Sequence, residues 1–245
     1  MAEQVGVIVP AAGAGRRLGI QEGKALAALA ARPLLAWAVA GVEANERVGS
    51  VVVVAHPATL DAVATLLSGH GFAKVAAVVP GGRSRRESVA AGLAALPPGP
   101  GYVAVHDACR PLLPPGAIDR LAATLESLGC HGVAPGAPVT DTVRRVAVGG
   151  RSGGIVDREE LRALQTPQVF VRAALEEAHR LAAAGALGAG PAGADEAADA
   201  VLVERAGFPV TVVAGEPANL TVTTALDLEV AEVLLSRGAA GQVTR

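Results

Sequence analysis

The sequence predicts an α/β protein: one domain, residues 1–245, around a mostly parallel, twisted sheet from which a β-arm projects. Three observations carry this. Apolar runs of strand length end repeatedly in Gly, Pro or polar clusters and are followed by longer segments of helical period, the alternation that parallel sheets require. A chain of 245 residues suits one compact core, given domain lengths of about 150 residues. Hydrophobic residues make up 51% of the chain and charged residues 18%, which excludes disorder.

Each element follows from its local pattern. Val5 to Val9 is a short apolar run of the buried-strand type, and the alanine- and leucine-rich stretch Leu26 to Asn45 reads as a helix. Val51 to Ala55 is a second strand, closed by His56-Pro57, and Thr59 to Ser68 a second helix. Val75 to Val79 is a strand, Ser84 to Leu96 a helix, Val103 to Val105 a strand and Ala117 to Leu128 a helix, so the first half is doubly wound. The pattern then changes, because residues 136–160 hold no helix-sized apolar face. Val139 to Val146 alternates, Gly149-Gly150 turns, and Ile155-Val156 resumes an extended run, as in a hairpin arm of the kind that serves oligomerisation. Arg172 to Ala184 returns to helix, and Gly185 to Gly193 is a Gly/Ala/Pro loop. A helix from Glu196 to Ala206, a strand from Val210 to Val213 and a helix from Ala225 to Arg237 complete the chain.

Charge and cysteine content exclude several function classes. A net charge of −2 argues against a general nucleic-acid or anionic-membrane binder, so polyanions would need a focused pocket. Cys109 and Cys130 form neither a C-x-x-C pair nor a disulfide framework. The charge order of the N-terminus, acidic before apolar before Arg16-Arg17, is the reverse of a signal peptide. The longest apolar region, Ala25 to Val42, is broken by Arg32-Pro33 and is no membrane span. A cytoplasmic protein is expected.

Lysine occurs only at positions 24 and 74, the remaining basic residues being arginine. Lys74 precedes a strand and reads as a surface residue. Lys24 is different, because it follows the loop Pro10-Ala-Ala-Gly-Ala-Gly-Arg-Arg-Leu-Gly19 at the end of the first strand. Small residues let backbone approach a ligand closely and aim N–H groups at phosphate oxygens. The loop is not a dinucleotide fingerprint, since Leu18 stands where the third Gly belongs and no acidic residue ends the second strand. It is not a Walker A loop either, because Ala25 follows Lys24. What remains is a Gly-rich turn with Arg16, Arg17 and Lys24 beside it, a charge that fits a triphosphate. The bland alternative is a tight turn with solvated arginines.

Ser84-x-x-Glu87 has the form of a capping box, and a capped helix start also suits an anion or nucleotide. Arg83, Arg85 and Arg86 beside it read as partly solvated. Asp107 follows a short strand, where a carboxylate can hold a hydrated Mg²⁺ against triphosphate oxygens; the plain alternative is a pair with Arg110. His106 reads as a packed, hydrogen-bonded histidine.

Six motifs in order resemble one known family, the 2-C-methyl-D-erythritol 4-phosphate cytidylyltransferases of isoprenoid-precursor synthesis by the non-mevalonate route. They are Pro10-Ala-Ala-Gly-x-Gly-x-Arg17 with Lys24, Gly81-Gly82-x-x-Arg85-x-x-Ser88, Val105-His-Asp-Ala-x-Arg-Pro111, Asp141-Thr142, Asp157-Arg158 and Gln165-Thr-Pro-Gln168. The resemblance implies a single Rossmann-like nucleotidyltransferase domain that transfers CMP from CTP to a polyol phosphate with Mg²⁺ as cofactor. It further implies that Arg17 and Lys24 are catalytic, that Ala11, Ala12, Gly13, Gly81, Gly82, Ser88 and Asp107 hold the nucleotide, and that Asp107 is the metal ligand. On the acceptor side it implies Arg110, Thr142, Arg158, Thr166 and Thr221, with Thr142 and Arg158 reaching the neighbouring subunit of a homodimer from the arm. An ordinary Asp157 to Arg158 surface pair is the plain alternative for the arm. Two positions differ from the family pattern: Thr221 replaces a lysine that grips the acceptor phosphate, and Ala194 rather than Thr or Ser precedes Asp195-Glu196. Both fall on the acceptor side, which keeps ribitol 5-phosphate as an alternative acceptor and a non-catalytic nucleotide-binding paralogue as an alternative function. Arg17, Lys24 and Asp107 speak against the paralogue, since a binder needs no transition-state cations.

Overall fold

The computed structural model describes residues 3–13, 23–187 and 199–238. The chain starts with β1 (Val5–Ala11) and, after a 3₁₀ turn at Lys24–Leu26, forms a small ribbon of β2 (Ala28–Leu29) and β3 (Arg32–Pro33) before α1 (Leu34–Glu43). β4 (Val48–Ala55), α2 (Leu60–Gly69), β5 (Val75–Pro80), α3 (Arg85–Ala95), β6 (Tyr102–Val105) and α4 (Ala117–Leu128) continue the alternation. β7 (Gly132–Pro138), the hairpin of β8 (Val143–Val146) and β9 (Ser152–Val156), β10 (Arg162–Leu164) and β11 (Gln168–Val171) follow. α5 (Arg172–Ala183), α6 (Asp199–Arg205), β12 (Val210–Ala214) and α7 (Ala225–Ser236) complete the order.

The main sheet runs β10-β7-β11-β6-β1-β4-β5, with β12 also paired to β7. β1 lies parallel to both β4 and β6, β4 is parallel to β5, and β12 to β7, whereas β10 and β11 run antiparallel to their neighbours. Because the chain leaves β1 for β4 on one side and later returns to β6 on the other, a crevice opens beyond the C-terminal ends of β1 and β6. Ligands of open α/β sheets bind at such a switch point.

Strand periodicity divides the core between the two faces. Val5, Val7 and Val9 of β1 with Val51 and Val53 of β4 pack against α1, α2 and α4, while Ile8, Val52 and Val54 pack against α3 on the other face. Each fully buried Val or Ile contributes about 1.5–3 kcal/mol of transfer free energy. α3 sits so close that a Cβ at Gly92 would lie 2.5 Å from Ile8 Cγ2. A third cluster joins Leu29, Leu34 and Trp37 to Val222 and Ala231, so α7 and the 219–223 segment are docked on the β2–β3 ribbon.

Several expectations are corrected. The helix expected from Leu26 to Asn45 starts only at Leu34, because Pro33 disfavours helical geometry at Arg32 and the ribbon turns through Ala30 and Ala31 at φ 48° and 62°. Glycine and proline in 132–138 conceal a strand, β7, which absorbs the first residues of the expected 136–160 arm. A Cβ at Gly132 would lie 2.7 Å from the Phe170 ring, so glycine there serves close packing with β11. The projecting hairpin itself is β8–β9. Lys74 is not a plain surface residue: its ammonium donates to the carbonyls of Glu43 at 2.8 Å and Asn45 at 2.9 Å, capping the end of α1. The Asp195-Glu196 pair and the stretch 188–193 lie outside the described residues.

Candidate functional site

The backbone framework of the crevice comes from strand ends. His106 and Ala108 donate to the carbonyls of Ile8 at 2.9 Å and Pro10 at 3.2 Å, fastening the turn after β6 to the end of β1. Gly81 donates to Ala55 at 2.8 Å, fastening the turn after β5 to the end of β4. A Cβ at Gly81 would meet the Ala12 Cβ at 2.7 Å, so glycine is needed where these two turns touch. Ser88, buried at the start of α3, accepts the Gly82 N–H at 3.2 Å and donates to the Ser84 carbonyl at 2.9 Å. Ala11, Ala12, Gly13, Gly81, Gly82 and Ser88 are thus brought to one edge of the sheet. The Gly13 carbonyl accepts from the Lys24 N–H at 3.4 Å, and Arg16 and Arg17 lie outside the described residues.

The Ser84 cap is half of the expected box. Its hydroxyl accepts the Glu87 N–H at 3.1 Å, but the Glu87 carboxylate accepts from Arg83 at 2.7 Å instead of returning to Ser84. A complete box stands instead at α7, between Thr224 and Asp227.

Asp107 departs from its plain alternative, for it pairs with Arg85 and not with Arg110. Arg85 Nε and Nη2 donate to Asp107 Oδ1 at 3.3 and 3.1 Å, and Nη1 donates to Asp199 Oδ2 at 2.8 Å. Arg85 is therefore held in two ion pairs with its side chain 23% exposed, while Arg83 is 94% exposed at its side chain. Burial opposes the Arg85 charge, yet Asp199 and Asp107 outweigh it and raise its pKa. Burial likewise opposes ionisation of Asp199, and Arg85 outweighs it, holding the Asp199 carboxyl below its ordinary value.

His106 has no exposed surface, and burial pushes its pKa down to about 4. Its Nε2–H donates to the Arg110 carbonyl at 3.1 Å, and Nδ1 faces the Thr166 hydroxyl at 3.4 Å, a pattern that fits the neutral ring. The Thr166 hydroxyl also accepts the Asp107 N–H at 3.0 Å. Arg110 donates to the carbonyls of Asn219 at 2.6 Å and Leu164 at 3.3 Å, and burial lowers its pKa. Asn219 Nδ2 donates in turn to the Thr166 carbonyl at 2.8 Å. One network thus joins Asp107, Arg110 and Thr166.

Lys24 Nζ lies 3.4 Å from Thr223 Oγ1, and Val222 N–H donates to the Cys109 carbonyl at 2.8 Å, so the 221–223 segment packs beside both Lys24 and the turn after β6. Thr221 and Thr223 are half-buried, with Val222 buried between them. Thr142 and Arg158 lie exposed at the base of the arm, where Arg158 donates to the Thr140 carbonyl. The plain Asp157 to Arg158 pair does not form; Asp157 instead accepts from the Glu159 N–H at 2.9 Å. No described hydrogen bond ties either arm residue to the Asp107 network within one chain.

Among the described residues no three His, Cys, Asp or Glu side chains form a metal cage. Asp107 nonetheless suits Mg²⁺, which is commonly held by one or two carboxylates together with waters and substrate phosphates. Its side chain is 26% exposed and both Arg85 bonds fall on Oδ1.

The model of the 2-C-methyl-D-erythritol 4-phosphate cytidylyltransferase family matches residues 5–237. The chain belongs to this family. It is 42% identical over 238 residues to the 2-C-methyl-D-erythritol 4-phosphate cytidylyltransferase of Streptomyces coelicolor, covering 94% of this chain and 84% of the relative. The crystal structure of the family's enzyme from Thermus thermophilus superposes with a TM-score of 0.74 at 31% identity, over 95% and 99% of the two chains. The fold alone is also shared with the 4-diphosphocytidyl-2C-methyl-D-erythritol synthase of Anaerococcus prevotii, at a TM-score of 0.80 and 22% identity over 96% and 97%.

Sequence reasoning assigned no role to Asp199, Asn219 or Thr223, which the fold of this cytidylyltransferase-family chain brings to the same crevice. Asp199 had one signal, a carboxylate beside the apolar Ala200, Leu202 and Val203 of α6.

Proposed function

We propose that the chain transfers CMP from CTP to 2-C-methyl-D-erythritol 4-phosphate, releasing pyrophosphate and giving 4-diphosphocytidyl-2-C-methyl-D-erythritol for isoprenoid-precursor synthesis. The observation that carries this reading is the convergence of Lys24, Asp107 and two Gly turns on the C-terminal edge of β1, β5 and β6, in a chain of this family. An oxygen of the acceptor phosphate attacks the α-phosphorus, a bond to it forms, and the bond to the bridging oxygen of the leaving pyrophosphate breaks. Such transfer needs alignment and charge neutralisation more than covalent help.

The residues divide accordingly. Backbone of Ala11, Ala12, Gly13, Gly81 and Gly82 holds the nucleotide, and Ser88 fixes the Gly82 turn. Lys24, with Arg17, neutralises charge as it builds at the α-phosphorus. Asp107 would hold Mg²⁺, which supplies charge neutralisation on the triphosphate when bound. Arg110, Thr166 and Thr221 face the acceptor. His106 serves the framework, since an anionic phosphate nucleophile needs no general base and a ring held neutral to about pH 4 is a poor proton acceptor.

Homodimerisation through the arm belongs to the same proposal. Val146 and Ile155 are each 69% exposed and Val148 is 99% exposed, an apolar surface suited to a second copy. Thr142 and Arg158 would then complete the partner's acceptor site. CTP as substrate makes the cytoplasm the proposed location.

A pyrophosphate-release screen of the four nucleoside triphosphates against methylerythritol phosphate and ribitol 5-phosphate tests the reading. Turnover is expected with CTP and methylerythritol phosphate and stops when Mg²⁺ is chelated. Equal rates with ATP or UTP, or a clear preference for ribitol 5-phosphate, would overturn it.

A further inference from the structure

Arg85 is held between two carboxylates that come from different parts of the chain. On the crevice side it grips Asp107 Oδ1 through Nε and Nη2; on the interior side Nη1 meets Asp199 Oδ2 at 2.8 Å. Asp107 is 26% exposed at its side chain, Arg85 23% and Asp199 only 3%. A carboxylate as deeply buried as Asp199 costs several kcal/mol unless paired. Its other polar neighbour is His179, with Nε2 3.8 Å from Oδ1, beyond hydrogen-bond reach.

This arrangement has a geometric and an electrostatic consequence. A guanidinium pinned at both ends has one rotamer, so its two other nitrogens, Nε and Nη2, converge on a single Asp107 oxygen. Among the described residues Oδ2 takes no hydrogen bond. The charge balance matters as much. Arg85 alone would cancel Asp107 and make a poor cation site, whereas two carboxylates around one guanidinium leave the group anionic. We infer that Asp199 is a positioning residue of the nucleotide site, acting through Arg85 to orient Asp107 and to keep that carboxylate attractive to Mg²⁺. The inference rests on the reading of Asp107 as the metal ligand. A purely structural ion pair would affect stability without changing cation affinity.

The test titrates Mn²⁺, as a paramagnetic probe, into the enzyme–CTP complex without acceptor and follows the free ion by electron paramagnetic resonance. Asp199→Asn keeps the shape and removes the charge. It is expected to weaken Mn²⁺ binding about tenfold, with a matching rise in the Mg²⁺ concentration for half-maximal turnover. Arg85→Met combined with Asp199→Leu replaces the buried pair by apolar groups and folds even if the single variant does not. That double variant again leaves one negative charge, so its Mn²⁺ affinity should lie within about threefold of wild type, while lost orientation lowers kcat by about tenfold. Unchanged Mn²⁺ affinity in folded Asp199→Asn, or loss beyond about tenfold in the double variant, overturns the role of Asp199. Asp107→Asn separates the two levels: if it abolishes Mn²⁺ binding the metal reading survives such a failure, and if it changes nothing both readings fall.

Discussion

The Thr166 hydroxyl accepts the Asp107 backbone N–H at 3.0 Å and faces His106 Nδ1 at 3.4 Å, tying the segment before β11 to the turn after β6. On the proposed reading Thr166 is both an acceptor-side residue and the clamp on the metal ligand. Thr166→Val keeps the shape but leaves a part-buried N–H unpaired, at about 1–3 kcal/mol. Urea unfolding should register that loss, kcat/KM should fall for both substrates, and Thr166→Ser should restore most of each. Wild-type stability in Thr166→Val would show that the clamp carries nothing.

The buried neutral His106 predicts a pH dependence of stability. Its folded pKa of about 4 lies below the ordinary value of 6.5, so the unfolded chain binds the extra proton first. Stability from this group is complete above about pH 6.5, falls as pH drops through the window, and is gone below about pH 4. The span corresponds to about 3 kcal/mol. Urea midpoints from pH 7.5 to 4.5 should fall more steeply in wild type than in His106→Asn; equal slopes would refute the assignment.

What the sequence made legible was chemistry placed at strand ends. Pro10–Gly13 and Asp107 stand out by residue type at strand ends, Gly81-Gly82 and Thr166 by the family motifs they belong to, and the fold brings all four to one edge. What stayed hidden depends on partners distant in sequence. Leu26 to Asn45 is apolar throughout, so no period separates ribbon from helix, and only Pro33 marks the break. β7 is written in glycine and proline because Phe170 and Arg162 press on it, a fact of packing rather than of propensity. Asp107 and Arg110 are near neighbours in sequence and suggested a pair, yet the guanidinium that reaches Asp107 comes from α3. The carboxylate that reaches Arg85 is Asp199, while the sequence drew attention to Asp195-Glu196.

Lys24 should separate binding from chemistry. Lys24→Ala is expected to lower kcat by about 10³-fold while the CTP dissociation constant, by calorimetry, changes little. Loss of CTP affinity with kcat kept at saturation would make Lys24 a binding residue only. Because Lys24 Nζ also meets Thr223, Thr223→Val serves as the control for a packing effect and should cost far less.

The arm predicts complementation between subunits. Arg158→Ala should raise the acceptor KM with little effect on CTP, and mixing it with Lys24→Ala protein should restore activity. In a mixed dimer one of the two sites has both its own Lys24 and its partner's Arg158, so an equal mixture assayed well below the raised acceptor KM should recover about a quarter of wild-type rate after exchange. A monomer at assay concentration, or no recovery after refolding the mixture, would remove the shared-site proposal.

Thr221 stands where the family has a lysine for the acceptor phosphate, and a missing charge-assisted hydrogen bond is worth about 1.5–3 kcal/mol, or roughly tenfold to a hundredfold in acceptor affinity. The surroundings supply cations instead. Lys24 Nζ reaches Thr223, two positions along the same segment, and Arg110 binds the carbonyl of Asn219, two positions before it. Thr221 and Thr223 are half-buried on either side of the buried Val222, the alternation of an extended stretch in which residues two apart share a side. A lysine at 221 would therefore project toward an existing ammonium and meet a like charge. Thr221→Lys is accordingly expected to leave the KM for methylerythritol phosphate within about twofold, with CTP kinetics unchanged. A tenfold or greater fall in that KM would mean that nothing compensates for the missing lysine, and would place Lys24 on the nucleotide alone.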